Sequence, residues 1–257
     1  MTSARPRHVR SALPAGQLTL RAVPMILMYH AVAEVPEDPH QLCVAPARFA
    51  EQMTWLARHG LRGVSVGTLV EAMRVGQHRR MVGITFDDGY RTVLEAAVPE
   101  LQRHGFGATA FIISGRLGGT NEWDEGPTWQ LVDAGEVRQL AAAGVEIGSH
   151  GATHVRLAGA DADELIAEIE ASRASLSALV GAEVRGFAYP YGSMDHRVRI
   201  AVREAGYQYA CAVETARHDI DILALPRVYI GQHDRAARMM TKRLLYKGYI
   251  VAKGRRR

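Results

Sequence analysis

Residues 81–90 read Met81-Val82-Gly83-Ile84-Thr85-Phe86-Asp87-Asp88-Gly89-Tyr90. A short apolar run of this length reads as a buried strand, and it stops at two adjacent carboxylates followed by a glycine suited to a tight turn. The same pattern repeats outward from it. Further strands are expected at Met25–Tyr29, Arg62–Val66, Ala108–Ile113, Val145–Gly148, Gly186–Tyr189, Gln208–Val213 and Leu223–Ile230. Amphipathic helices are expected at Ala47–His59, Tyr90–His104, Trp129–Ala143, Ala162–Val180 and Asp195–Ala205, and Gly105, Gly144, Gly181 and Gly206 supply the stops of the last four. About eight strands alternating with helices predict an α/β protein with a parallel sheet. A distorted (β/α) barrel of seven or eight units is the natural closure, and it predicts catalytic groups at the C-terminal ends of strands.

Composition narrows the function classes. The chain has 257 residues with 31 Lys+Arg, 27 Asp+Glu and a net charge of +4. Seven of the cations lie at the ends: Arg5, Arg7, Arg10, Lys253, Arg255, Arg256 and Arg257. Without them the balance is 24 basic to 27 acidic residues, a net of −3, so the basic character belongs to the ends and no general nucleic-acid-binding surface is expected. Cys43 and Cys211 can form at most one bridge and lack zinc-ribbon spacing. No apolar stretch is long enough to span a bilayer, and the first residues hold no apolar run ending in a small-residue cleavage site.

The predicted strand mouths carry the chemistry. Asp87 and Asp88 side by side are costly unless something positive compensates them; a metal on one would leave the other as a base. An acidic turn with Gly89 at positive φ would look the same. The next strand runs into Ser149-His150-Gly151-Ala152-Thr153-His154, where two histidines four apart on one helical turn would face one side. Asp88, His150 and His154 would offer one oxygen and two nitrogens with an open position, a hydrolytic divalent-metal site for which zinc is the default and other transition metals are possible. A third strand ends in Phe187-Ala188-Tyr189-Pro190-Tyr191-Gly192, where the Tyr191 backbone N–H is available to a substrate oxygen unless this is an ordinary turn.

Ile84–Tyr90, Ser149–His154 and Ala188–Gly192 resemble, in order, the first three motifs of the polysaccharide deacetylases, carbohydrate esterase family four or the NodB homology domain, over about Met25 to Ile230. The resemblance implies a distorted (β/α) barrel and metal-dependent removal of acetyl groups from glycans. It implies Asp87 as catalytic base, Asp88, His150 and His154 as metal ligands, and the Tyr191 N–H as oxyanion donor. Two departures stand out. The arginine that orients the base in this family is replaced by Ala188, and Arg227 is the candidate substitute, with a structural ion pair as its other reading. The late strand ending in a general-acid histidine is missing; Gln232-His233-Asp234 is its only late candidate. Ile26-Leu27-Met28-Tyr29-His30 is similar instead to the permuted arrangement of poly-N-acetylglucosamine deacetylases, where that strand comes first, which makes His30 the expected acid. Trp123, in the loop Gly118–Gly126, is a candidate sugar platform or a core aromatic.

The expected activity is therefore metal-dependent hydrolysis of N-acetylated amino sugars in a polysaccharide or oligosaccharide. A same-fold hydrolase of a non-glycan amide such as a cyclic imide, and a non-catalytic glycan-binding module, remain alternatives. The expected organisation is a basic extension over 1–22, a catalytic domain over 23–232, and a basic helix or tail over 233–257. Nine cations and no acid lie between Arg235 and Arg257, either a solvated closing helix or a surface that adsorbs to an anionic membrane or polymer. The lack of a classical signal suggests the cytoplasm, and the resemblance the cell surface or exterior.

Overall fold

The computed structural model describes residues 23–213 and 220–253, the side chains of 247–253 excepted. The expected N-terminal extension and Arg255, Arg256 and Arg257 lie outside the described residues. In chain order the strands are β1 (Ile26–Tyr29), β2 (Ala31–Val32), β3 (Cys43–Val44), β4 (Arg62–Val64), β5 (Met81–Phe86), β6 (Thr109–Ile112), β7 (Glu146–Ser149), β8 (Gly186–Ala188), β9 (Tyr209–Ala212), β10 (Leu225–Pro226) and β11 (Val228–Tyr229). The α-helices are α1 (Pro46–Arg58), α2 (Val66–Arg74), α3 (Val98–Arg103), α4 (Ala134–Ala142), α5 (Ala162–Leu165), α6 (Ala171–Val180), α7 (His196–Glu204) and α8 (Ala236–Lys253).

Every strand pair among the described residues is parallel. The main sheet runs β10-β9-β8-β7-β6-β5-β1-β11, with β4 attached to β5. The expected single strand Leu223–Ile230 is instead two short ones. Leu225 and Pro226 pair with β9, and Val228 and Tyr229 pair with β1, so the segment changes partner at Arg227. That handover all but closes the sheet into the expected distorted (β/α) barrel, with the first strand of the chain beside the last.

The core fills the barrel and the space under its helices. Tyr29, Phe49 and Phe86 are fully buried and meet with ring centroids 5.3–5.8 Å apart. Gly148 is a strand glycine for a steric reason: a Cβ there would collide with the Phe111 ring. Buried Gln52 on α1 donates to the carbonyls of Gly231 and Asp234, which ties that helix to the turn before α8. Both cysteines are free and buried. No helix among the described residues is long and apolar enough to cross a membrane.

Three helix expectations need correction. The expected helix from Trp129 begins only at Ala134, because Asp133 and Glu136 form a reciprocal capping box and Leu131 is held in a bridge to Tyr90. Helix α2 had no counterpart in the sequence reading: Ser65 caps its first turn, and its apolar start was read as the end of a strand. Ser149–His154 is not helical at all: the strand ends at Ser149, and Gly151 and His154 turn the chain with φ of 81° and 69°.

Candidate active site

The expected site residues arrive at one end of the barrel from separate strands. Asp87 and Asp88 follow β5, His150 follows β7, His30 follows β1, and Tyr191 lies just beyond β8. Pairing of β1 with β5, and of β6 with β7, brings these strand ends level. The Asp87 N–H donates to the Tyr29 carbonyl at 3.0 Å, and the His150 N–H to the Ile112 carbonyl at 2.8 Å.

Asp87 is gripped by Arg227. The guanidinium Nη1 and Nη2 donate to the two carboxylate oxygens at 2.6 and 2.7 Å, a bidentate fork between two buried side chains. Nη1 also donates to Thr85 Oγ1 at 3.1 Å, Nε donates to the Ala212 carbonyl at 3.3 Å, and Phe111 lies against the guanidinium. The cation that Ala188 cannot supply thus comes from the β10–β11 handover. Burial opposes ionisation of Asp87, but Arg227 above all, with His150 and His30, holds its carboxyl below the usual range.

Asp88 faces the histidine pair. Its Oδ1 is buried, has no hydrogen-bond partner among the described residues, and lies 3.4 Å from His150 Nε2 and 3.3 Å from His154 Nε2. Burial opposes its charge, while the two imidazoles hold its carboxyl well below the usual range. The His150 Nδ1–H donates to the Ala188 carbonyl at 2.7 Å, which turns Nε2 toward Asp88. Ligands about 2.0–2.1 Å from a tetrahedral zinc stand about 3.3–3.4 Å apart, so one oxygen and two nitrogens at these separations fit a divalent ion without rearrangement. An unpartnered buried carboxylate oxygen between two imidazole nitrogens is the chemistry such an ion satisfies.

His30 is half-buried, and its Nδ1 has no partner among the described residues. Burial depresses its pKa, with Asp88 and Asp87 pulling the other way. Tyr191 has φ 55° and its hydroxyl donates to Asp124 at 3.0 Å. The rings of Trp123 and Tyr191 lie 4.6 and 4.5 Å from that of His154, so Trp123 borders the site. His233 does not join them. It is exposed in the turn before α8, where neighbouring Asp234 pairs with Lys242 at 2.6 Å.

Sequence reasoning missed Glu168. It sits in a π-helical turn, Ile166–Glu170, between α5 and α6, and it is buried. One carboxylate oxygen accepts from the N–H of Ala152 at 2.8 Å and of Thr153 at 3.0 Å, and the other from the Thr153 hydroxyl at 2.5 Å. It therefore pins the turn that carries His154. Glu168→Ala is expected to weaken metal binding by about 10–100-fold, with Glu168→Gln intermediate, read by calorimetric metal titration of the stripped protein. Equal affinity in both variants would show that the turn holds itself.

A family profile described as polysaccharide deacetylase matches residues 74–210, more than half of the chain. A Bacillus subtilis protein, YxkH, whose name assigns it provisionally to the same group, is 26% identical over 210 residues, covering 80% of this chain and 71% of its own length. The poly-β-1,6-N-acetyl-D-glucosamine N-deacetylase of Staphylococcus aureus is 26% identical over 183 residues, 66% of this chain; the match spans only 61% of that enzyme. Among solved structures, the Streptococcus pyogenes deacetylase PplD in complex with acetate superposes with TM-score 0.73 at 21% identity, covering 85% of this chain and 97% of that one. IcaB from Ammonifex degensii superposes with TM-score 0.72 at 21% identity, covering 86% and 96%. At these identities the superpositions speak for the fold.

Proposed function

The chain belongs to the polysaccharide deacetylase family, and from that premise we propose that it hydrolyses the N-acetyl groups of amino sugars in a glycan, with a divalent metal at Asp88, His150 and His154. The observation that carries this reading is the pairing of an unpartnered carboxylate between two imidazoles with a second carboxylate fixed by a buried arginine.

Each residue takes one task. A divalent metal, zinc by default, supplies Lewis acidity toward the acetyl carbonyl and the attacking water. Asp87, kept ionised and aimed by Arg227, accepts the proton of that water as its oxygen adds to the acetyl carbon. The Tyr191 N–H donates to the oxyanion that forms. His30, in its protonated form, delivers a proton to the nitrogen as the carbon–nitrogen bond breaks, so that a neutral amine departs with acetate. Trp123 offers an aromatic face to the sugar beside the scissile amide.

The test is acetate release, with and without metal after chelation, from poly-N-acetylglucosamine, chitin oligomers and peptidoglycan fragments. Metal-dependent acetate release from at least one is expected. Ring opening of small cyclic imides without acetate release would replace this reading with a non-glycan amidase. Tight metal-free oligosaccharide binding without turnover would replace it with a binding module. His30→Gln is expected to slow amide hydrolysis by about 100-fold while largely sparing an O-acetyl ester, whose alkoxide leaves with less help. Equal losses on amide and ester would remove His30 from the acid role.

A further inference from the structure

At the opposite end of the barrel from the catalytic carboxylates, a cavity of about 390 Å3 opens among the starts of β1 and β5. Met25, Met81 and Val82 form part of its wall, Arg79, Arg80 and Arg243 are its charged residues, and His78 lies beside them, with no acidic residue in the lining. Arg79, Arg80 and Arg243 form no ion pair with any described residue. The Nδ1 of His78 is buried without a hydrogen-bond partner among the described residues. Three arginines without an ion pair line one concavity, which suits an anion, and their forked donors suit phosphate oxygens.

The surface around it says which anion. Arg243 belongs to α8, which is tied to this end of the barrel by the Tyr246 hydroxyl donating to the Pro24 carbonyl at 3.0 Å. The next two residues of that helix, Leu244 and Leu245, are 60% and 67% exposed. Val75, in the turn leading to Arg79 and Arg80, is 67% exposed. A hydrated polyanion has no use for exposed leucines. A bilayer interface uses both, apolar side chains among the acyl chains and cations at the headgroups. The sequence adds to the same sign, since no acid occurs from Arg235 to Arg257.

We propose that this base is a docking surface for anionic phospholipid bilayers, with the Arg79–Arg80–Arg243 cavity receiving a headgroup phosphate and Leu244 and Leu245 entering the interface. The six residues of β5 separate the two ends by roughly 20 Å. Docked in this way, the catalytic end faces away from the bilayer, toward polymer in the surrounding solution.

The test is co-sedimentation of the full chain with vesicles of phosphatidylcholine containing about one-third phosphatidylglycerol, against pure phosphatidylcholine. Binding only to the anionic vesicles, weakening as salt rises, is expected. Arg79→Gln/Arg80→Gln/Arg243→Gln is expected to lower partitioning by about 100-fold, about 5-fold per cation. Leu244→Gln/Leu245→Gln should lower it by about 10-fold or more. Both variants keep the wild-type melting temperature and acetate release from soluble oligomers. Four results would overturn the proposal: no partitioning by the wild type, unchanged partitioning of the triple variant, retention on soluble polyphosphate without vesicle binding, or a leucine variant that changes oligomeric state and not vesicle binding.

Discussion

Asp88→Ala is expected to abolish stoichiometric metal binding and to cut acetate release by about 1000-fold or more. The magnitude follows from several kcal/mol of charge stabilisation supplied by a catalytic metal, at about 1.4 kcal/mol per decade of rate. The geometry makes the loss severe. Asp88 Oδ1 is the one oxygen between His150 and His154, and the two imidazoles alone leave a two-nitrogen site. Metal addition should raise the melting temperature of the stripped wild type and leave the variant unmoved, because only a native-state site shifts the folding equilibrium. That second readout separates a lost ligand from a damaged fold. One metal still bound tightly by Asp88→Ala would sink the assignment.

The second large effect belongs to Arg227. Its fork on Asp87 is buried on both sides, so Arg227→Met strands a carboxylate away from water. Breaking a buried pair from one side costs about 3–5 kcal/mol, a large part of the stability of an ordinary domain. The pH dependence has a definite sign. The folded-state pKa of Asp87 is lowered, so its contribution to stability is present above the unfolded carboxylate value and lost as pH falls through the folded one. Without Arg227 that contribution vanishes, the Asp87 pKa rises, and the acid limb of the rate profile moves to higher pH. Arg227→Lys should keep the fold with one bond in place of two, giving an intermediate shift. Urea denaturation and pH–rate profiles of both variants make the check. An Arg227→Met protein with wild-type stability and an unmoved acid limb would show that the fork carries neither.

The sequence was most legible where a strand ran directly into chemistry. Asp87, Asp88, His150 and His30 each follow a strand end, so locating the strands located the residues. Arg227 came from an absence, the alanine at position 188, and its counter-charge role became visible only through the pairing change that turns it inward. The histidine pair was expected on a helical turn, and the structure brings both imidazoles to Asp88 on another scaffold. A spacing of four suits a helical turn, but Gly151 and His154 reach the same convergence through left-handed backbone. Glu168 carried no signal, because it works by accepting backbone N–H groups from a turn distant in sequence, and no residue spacing encodes that. The π-helical turn that holds it was equally silent, since an apolar period of 3.6 residues does not reveal one inserted residue.

The split closing strand also sets a clock. Leu27 pairs with Val228, so the first strand made waits for the last. At about 5–20 residues per second on the ribosome, the interval between them is roughly 10–40 seconds. From residue 154 onward the nascent chain holds Asp87, Asp88 and both histidines, but not the arginine whose fork fixes Asp87. The clamped Asp87 therefore forms late in synthesis, when Arg227 emerges and the barrel shuts around it, and a chain released before that point carries Asp87 with no guanidinium on it.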